Sequence, residues 1–102
     1  MSNSLVIIPT YNEIENIERL IRDVLSLPNE FDVLIVDDNS PDGTSDAVQH
    51  LIDEFPAKLF LEKRMTKLGL GTAYIHGFKW ALTKNYKYIF EMDADFRTTP
   101  LI

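Results

Sequence analysis

The stretch VLIVDDNSPDGT, residues 33–44, changes character at its middle. Val33-Leu34-Ile35-Val36 is a continuous apolar run rich in β-branched residues, the composition of a strand covered on both faces. Asp37-Asp38 follow without a break, and Asn39-Ser40-Pro41-Asp42-Gly43 is dense in turn-forming residues. A helix is expected from about Thr44, with Ala47, Val48, Leu51, Ile52 and Phe55 on one face. A buried strand that delivers acids into a turn and then a helix suits a parallel α/β sheet.

The pattern repeats on either side. Upstream, Leu5-Val6-Ile7-Ile8 reads as a buried strand closed by Pro9. Asn12 and Glu15 have the spacing of an N-cap and its capping glutamate, and Ile14, Ile17, Leu20, Ile21, Val24 and Leu25 follow at helical intervals before Pro28. Downstream come a weaker strand, Leu59-Phe60-Leu61, then a loop through Gly69-Leu70-Gly71. A third helix follows, with Ala73, Phe78, Ala81 and Leu82 expected in the core. Tyr88-Ile89-Phe90 with Met92 makes a fourth strand. The order β-α-β-α-β-α-β predicts a parallel sheet with helices on both faces and right-handed crossovers. Residues Thr10 to Glu13, Asp37 to Asp42 and Asp93 to Asp95 then fall on one sheet edge, where such sheets bind ligands.

Bulk properties bound the reading. At 102 residues, 45% apolar and 25% charged, the chain has the composition of one globular unit or part of a larger one. A net charge of −6 argues against nucleic acid as a partner. Cysteine is absent, which fits a reducing, cytoplasmic setting. The sequence shows no signal-peptide pattern and no transmembrane run of about 20 apolar residues. His50 and His76 have no partner at metal-ligand spacing, and Trp80 reads as core or a half-exposed face.

Asp93 and Asp95 leave a strand at i and i+2, and paired hard oxygen ligands suit Mg²⁺ or Mn²⁺ together with substrate phosphates. For Asp37-Asp38 two readings stand: both bind a metal, or one caps the turn while the other reads the polar edge of a ligand. Tyr11 is a candidate stacking ring. Lys67, Gly69 and Gly71 form a candidate phosphate loop at a helix start. No Ser-His-Asp arrangement, Walker-type loop or G-x-G-x-x-G is present, so the acids are expected to serve a metal and a phosphorylated ligand.

Four segments, VIIPTYNEIENI, VLIVDDNSPDGTSD, KLGLGTAYIHGF and YIFEMDADF, together resemble the motifs of family-2 glycosyltransferases, in particular the dolichyl- or polyprenyl-phosphate mannose synthases. The resemblance runs from Leu5 to Phe96 and implies the nucleotide-binding half of a GT-A (Rossmann-like) fold. It implies GDP-mannose as donor, Mg²⁺ or Mn²⁺ as cofactor and a polyprenyl or dolichyl phosphate as acceptor, with inversion at the anomeric carbon. It assigns Pro9, Tyr11, Glu13, Val36, Asp38, Asp93 and Ala94 to the nucleotide sugar, and Asp93 and Asp95 to the metal and to catalysis. A cytoplasmic chain, peripheral to a membrane face in its full-length parent, is the corresponding expectation.

The match breaks after Phe96. Arg97 occupies a position that supplies a further metal ligand in relatives, and its guanidinium has no lone pair to offer. Residues 1–96 are therefore expected to be the donor-binding half, and 97–102 an atypical tail left by truncation or a frameshift. Two competing readings remain at this level. One is a phosphorylation-switch receiver domain, suggested by VLIVDD; the other is a nucleotide-binding module that self-associates through an exposed sheet edge.

Overall fold

A computed structural model describes residues 2–65 and 69–94. The elements are β1 Ser4–Thr10, α1 Ile17–Leu25, β2 Asp32–Asp37, α2 Thr44–Glu54, β3 Leu59–Lys63, α3 Leu70–Leu82 and β4 Tyr88–Glu91. The four strands form one parallel sheet in the order β3-β2-β1-β4. That order is the Rossmann-like half expected of a GT-A fold. A receiver domain has the order 2-1-3-4-5, so the topology excludes that alternative.

Alternation along the two central strands distributes their side chains between two cores. Val6, Ile8, Val33 and Ile35 pack with Ile17, Leu20, Ile21 and Val24 of α1 and with Val48 and Leu51 of α2. Leu5, Ile7, Leu34 and Val36 pack with Ala73 and Ala81 of α3 on the other face. Each fully buried Val, Leu or Ile contributes about 1.5–3 kcal/mol, which is why two strands with no polar side chain in either core dominate the fold. The small residues of α3 let that helix approach closely: a Cβ on Gly77 would stand 2.6 Å from Cγ2 of Ile7.

Three local expectations need correcting. Asn12 is not the cap of α1: its φ is +57°, and the N-cap position belongs to Asn16. The carbonyl of Glu13 accepts from the amides of Asn16 and Ile17, so the helix starts later than the spacing suggested. Ile14, consequently, sits outside the helix and is exposed. Phe78 and Leu82 are also exposed rather than core, because Ala73, Gly77 and Ala81 already provide the face of α3 that meets the sheet. No helix among the described residues is long and apolar enough to cross a membrane.

Candidate functional site

Strand order reverses between β1 and β4, and the carboxyl ends of β1, β2 and β4 border an open cleft there of about 230 Å³. Pro9, Tyr11, Glu13, Asp38, Asp93 and Ala94 line it together with Thr10, Leu70 and Ala73. Val36 does not: its side chain is fully buried beneath α3, so only its main chain is left for a ligand. Gly69, with φ +102°, is the N-cap of α3 and Gly71 lies exposed in its first turn; neither lines the cleft, although Leu70 between them does. Lys67, Asp95 and residues 97–102 lie outside the described residues. A larger groove of about 560 Å³, lined by Ser2, Asn29, Phe31 and Phe90 among others, occupies the amino edge of the sheet. The smaller cleft is the better candidate, since parallel sheets bind ligands beyond their carboxyl ends.

Asp37 and Asp38 divide their work. Asp37 is the turn residue: its carboxylate accepts from the Ser40 amide at 3.0 Å, the Ser40 hydroxyl at 2.7 Å and the Thr10 hydroxyl at 2.6 Å. Asp38 lines the cleft, and its carboxylate receives Nε of Arg64 at 2.6 Å and Nη2 at 2.8 Å. Arg64 further donates to the Thr72 hydroxyl at 3.1 Å and the Gly69 carbonyl at 3.3 Å, tying the end of β2 to the start of α3. Sequence reasoning overlooked Arg64. Its signal was its place directly after β3, on the same edge as the acids that follow the other strands.

The turn after β2 shapes the loop after β1. Ser40 Oγ, Thr44 Oγ1 and Asp42 Oδ2 accept from the amides of Asn12, Glu13 and Ile14 at 2.9, 3.0 and 3.1 Å. Asp42 Oδ1 accepts from the Thr44 amide at 3.0 Å as well. Partial burial opposes ionisation of Asp42, but the hydrogen bonds from Thr44 and Ile14 outweigh it and hold the carboxyl below its ordinary value. The loop carrying Tyr11 and Glu13 is therefore templated by side chains of a neighbouring turn. This accounts for the left-handed Asn12, whose amide is bonded outside the helix.

Beyond β4 the backbone stays on the sheet for one more residue, with the Met92 amide donating to Ile7 O at 3.0 Å. Asp93 comes next, half-buried in the cleft wall, and Tyr74 of α3 donates its hydroxyl to Asp93 Oδ1 at 2.7 Å. Burial, then the hydrogen bond and the charge of Asp93, push the Tyr74 hydroxyl well above the usual tyrosine value, so it stays protonated as a donor. Among the described residues no three His, Asp or Glu side chains cluster as a metal cage. Asp93 nevertheless fits a hard divalent cation of the Mg²⁺ type, which is commonly held by one or two carboxylates plus substrate phosphates.

The family model for "Glycosyl transferase family 2" matches residues 5–101, and the chain belongs to that family. It is 50% identical over 91 residues to undecaprenyl-phosphate mannosyltransferase of Micrococcus luteus, covering 89% of this chain and 37% of that protein. It is 44% identical over 92 residues to polyprenol monophosphomannose synthase of Mycolicibacterium smegmatis, covering 90% and 35% respectively. The chain thus spans about a third of the length of these relatives. A solved mannosyltransferase of Pyrobaculum calidifontis, in complex with GDP-Man and Mn²⁺, superposes with a TM-score of 0.82 at 28% identity, over 91% of this chain and 27% of that one.

Proposed function

We propose that this chain is the donor-binding portion of a polyprenyl-phosphate mannosyltransferase that takes GDP-mannose with Mg²⁺ or Mn²⁺. In the whole protein the mannose passes to a dolichyl or polyprenyl phosphate, at the face of a membrane to which the protein is peripheral. The observation that carries this reading is the convergence of Pro9, Tyr11, Glu13, Asp38 and Asp93 on one cleft at the strand-order reversal. The mannosyltransferase relatives support the choice of sugar and acceptor.

Each residue has a task that its position suits. Tyr11, partly exposed at the cleft, offers a ring face to the base. Asp38, held by Arg64, presents carboxylate oxygens to the polar edge of the base or ribose. Asp93 and Asp95 would hold the cation, which when bound supplies positive charge against the departing nucleoside diphosphate. The acceptor phosphate is already anionic near neutral pH, its second pKa being about 6. Direct attack opposite the leaving group inverts the anomeric carbon without demanding a strong general base from this chain.

Thermal unfolding with added nucleotide tests the reading. A ligand that binds only the folded chain stabilises it by about 2.7 kcal/mol at a hundredfold excess over Kd. GDP and GDP-mannose with Mn²⁺ are expected to raise Tm, and UDP to raise it less. No shift with any of them would refute donor binding, and a larger shift with UDP would reassign the base.

A further inference from the structure

We infer that Tyr74 is a positioning residue for the Asp93 carboxylate, fixing the direction in which that carboxylate meets a divalent cation. The inference rests on the metal reading of Asp93 proposed above and concerns a residue on a different element. Asp93 follows β4, where main-chain pairing has just ended with Met92. A carboxylate at that point has a free χ1 and a roughly two-fold χ2 unless something holds it. Tyr74 supplies the hold: its hydroxyl reaches Oδ1 at 2.7 Å from α3, nineteen residues away in sequence. The tyrosine ring is itself packed against the core formed by Leu5, Ile7, Leu34 and Val36, so the donor is anchored to the central strands of the sheet. With Oδ1 occupied in this way, Oδ2 is set in a defined orientation in the wall of the cleft that Asp93 lines. Carboxylate ligands are generally oriented by such outer partners, and loss of one typically costs 10–100-fold in metal affinity.

The hydroxyl is separable from the packing, because Tyr74→Phe keeps the ring. The test is Mn²⁺ binding followed by electron paramagnetic resonance, on the unaltered chain and on Y74F, each saturated with GDP. The expected result is an increase in the Mn²⁺ Kd of about tenfold in Y74F, with metal-free GDP affinity unchanged. The unaltered chain gives a second readout that does not depend on the variant's stability: the ¹³Cζ signal of Tyr74 is expected to move when Mg²⁺ is added to the GDP complex, as its acceptor oxygen's carboxylate takes up the ion. Mn²⁺ affinities equal within twofold, or a ¹³Cζ signal that ignores Mg²⁺, overturn the positioning role while the metal reading stands. An unaltered chain that binds no Mn²⁺ with GDP present overturns the metal reading and this inference together.

Discussion

Arg64 grips Asp38 through both carboxylate oxygens, at 2.6 and 2.8 Å, with each side chain only 7% exposed. The pair joins the end of β2 to the residue after β3, and through Thr72 and Gly69 to the start of α3. A buried pair of this kind adds little net stability over an apolar replacement, yet removing one partner strands the other charge. Arg64→Ala is therefore expected to cost about 3–5 kcal/mol in urea unfolding. Arg64→Lys is expected to recover only part of it, because an ammonium lacks the planar fork that serves both oxygens. A loss under about 1 kcal/mol for R64A, the scale of an exposed pair, would show that water reaches Asp38 freely.

Two glycines of α3 are expected to respond oppositely to the same change. Gly77→Ala places a methyl 2.6 Å from Ile7 Cγ2, and Ile7 has no room to retreat within its strand. Overpacking of about 1–3 kcal/mol outweighs the gain of up to about 1 kcal/mol in helix propensity. Gly71→Ala meets nothing within 4 Å and should be neutral or stabilising. Thermal unfolding of both variants checks the pair; a stabilised G77A would mean that α3 sits further from β1.

Asp42 should contribute to the pH dependence of stability. Its folded pKa is depressed below the ordinary 3.8, so its contribution is present above that value and is lost as pH falls through the folded pKa. Asp42→Asn removes the ionisation while keeping an acceptor oxygen. The stability gap between the native chain and D42N should be constant above pH 3.8 and narrow below it. Asp42→Ala should cost about 1–2 kcal/mol through the lost hydrogen bonds, and speed hydrogen exchange at the Ile14 amide, whose acceptor it removes. An unchanged Ile14 exchange rate would show that the turn does not template the loop after β1.

The sheet was legible because its two central strands are buried on both faces: Leu5–Ile8 and Val33–Val36 leave no polar position to mislead the reading. The strand-end acids were legible because polar residues follow the apolar runs abruptly in sequence, although Thr10, Asp37 and Asp38 are themselves still buried. Helix boundaries were harder. Asn12 has a cap-like sequence, but side chains of Ser40, Thr44 and Asp42, some thirty residues on, claim the amides of that loop. Spacing within a segment carries no information about such partners. Phe78 and Leu82 fitted a helical period but lie off the face that Gly77 selects, because close approach favours the smallest residues. Arg64 and Tyr74 escaped notice because each matters only through a carboxylate brought to it by the fold.

The central claim, that the carboxyl-edge cleft takes a GDP-linked sugar, is tested most directly by amide chemical-shift mapping with GDP-mannose and Mg²⁺. The account predicts that Tyr11, Glu13, Asp38 and Asp93 shift together and saturably, with Ser2, Asn29 and Phe31 at the opposite edge unmoved. Shifts concentrated at Ser2, Asn29 and Phe31, or none at any concentration that saturates a mannosyltransferase donor site, would contradict it.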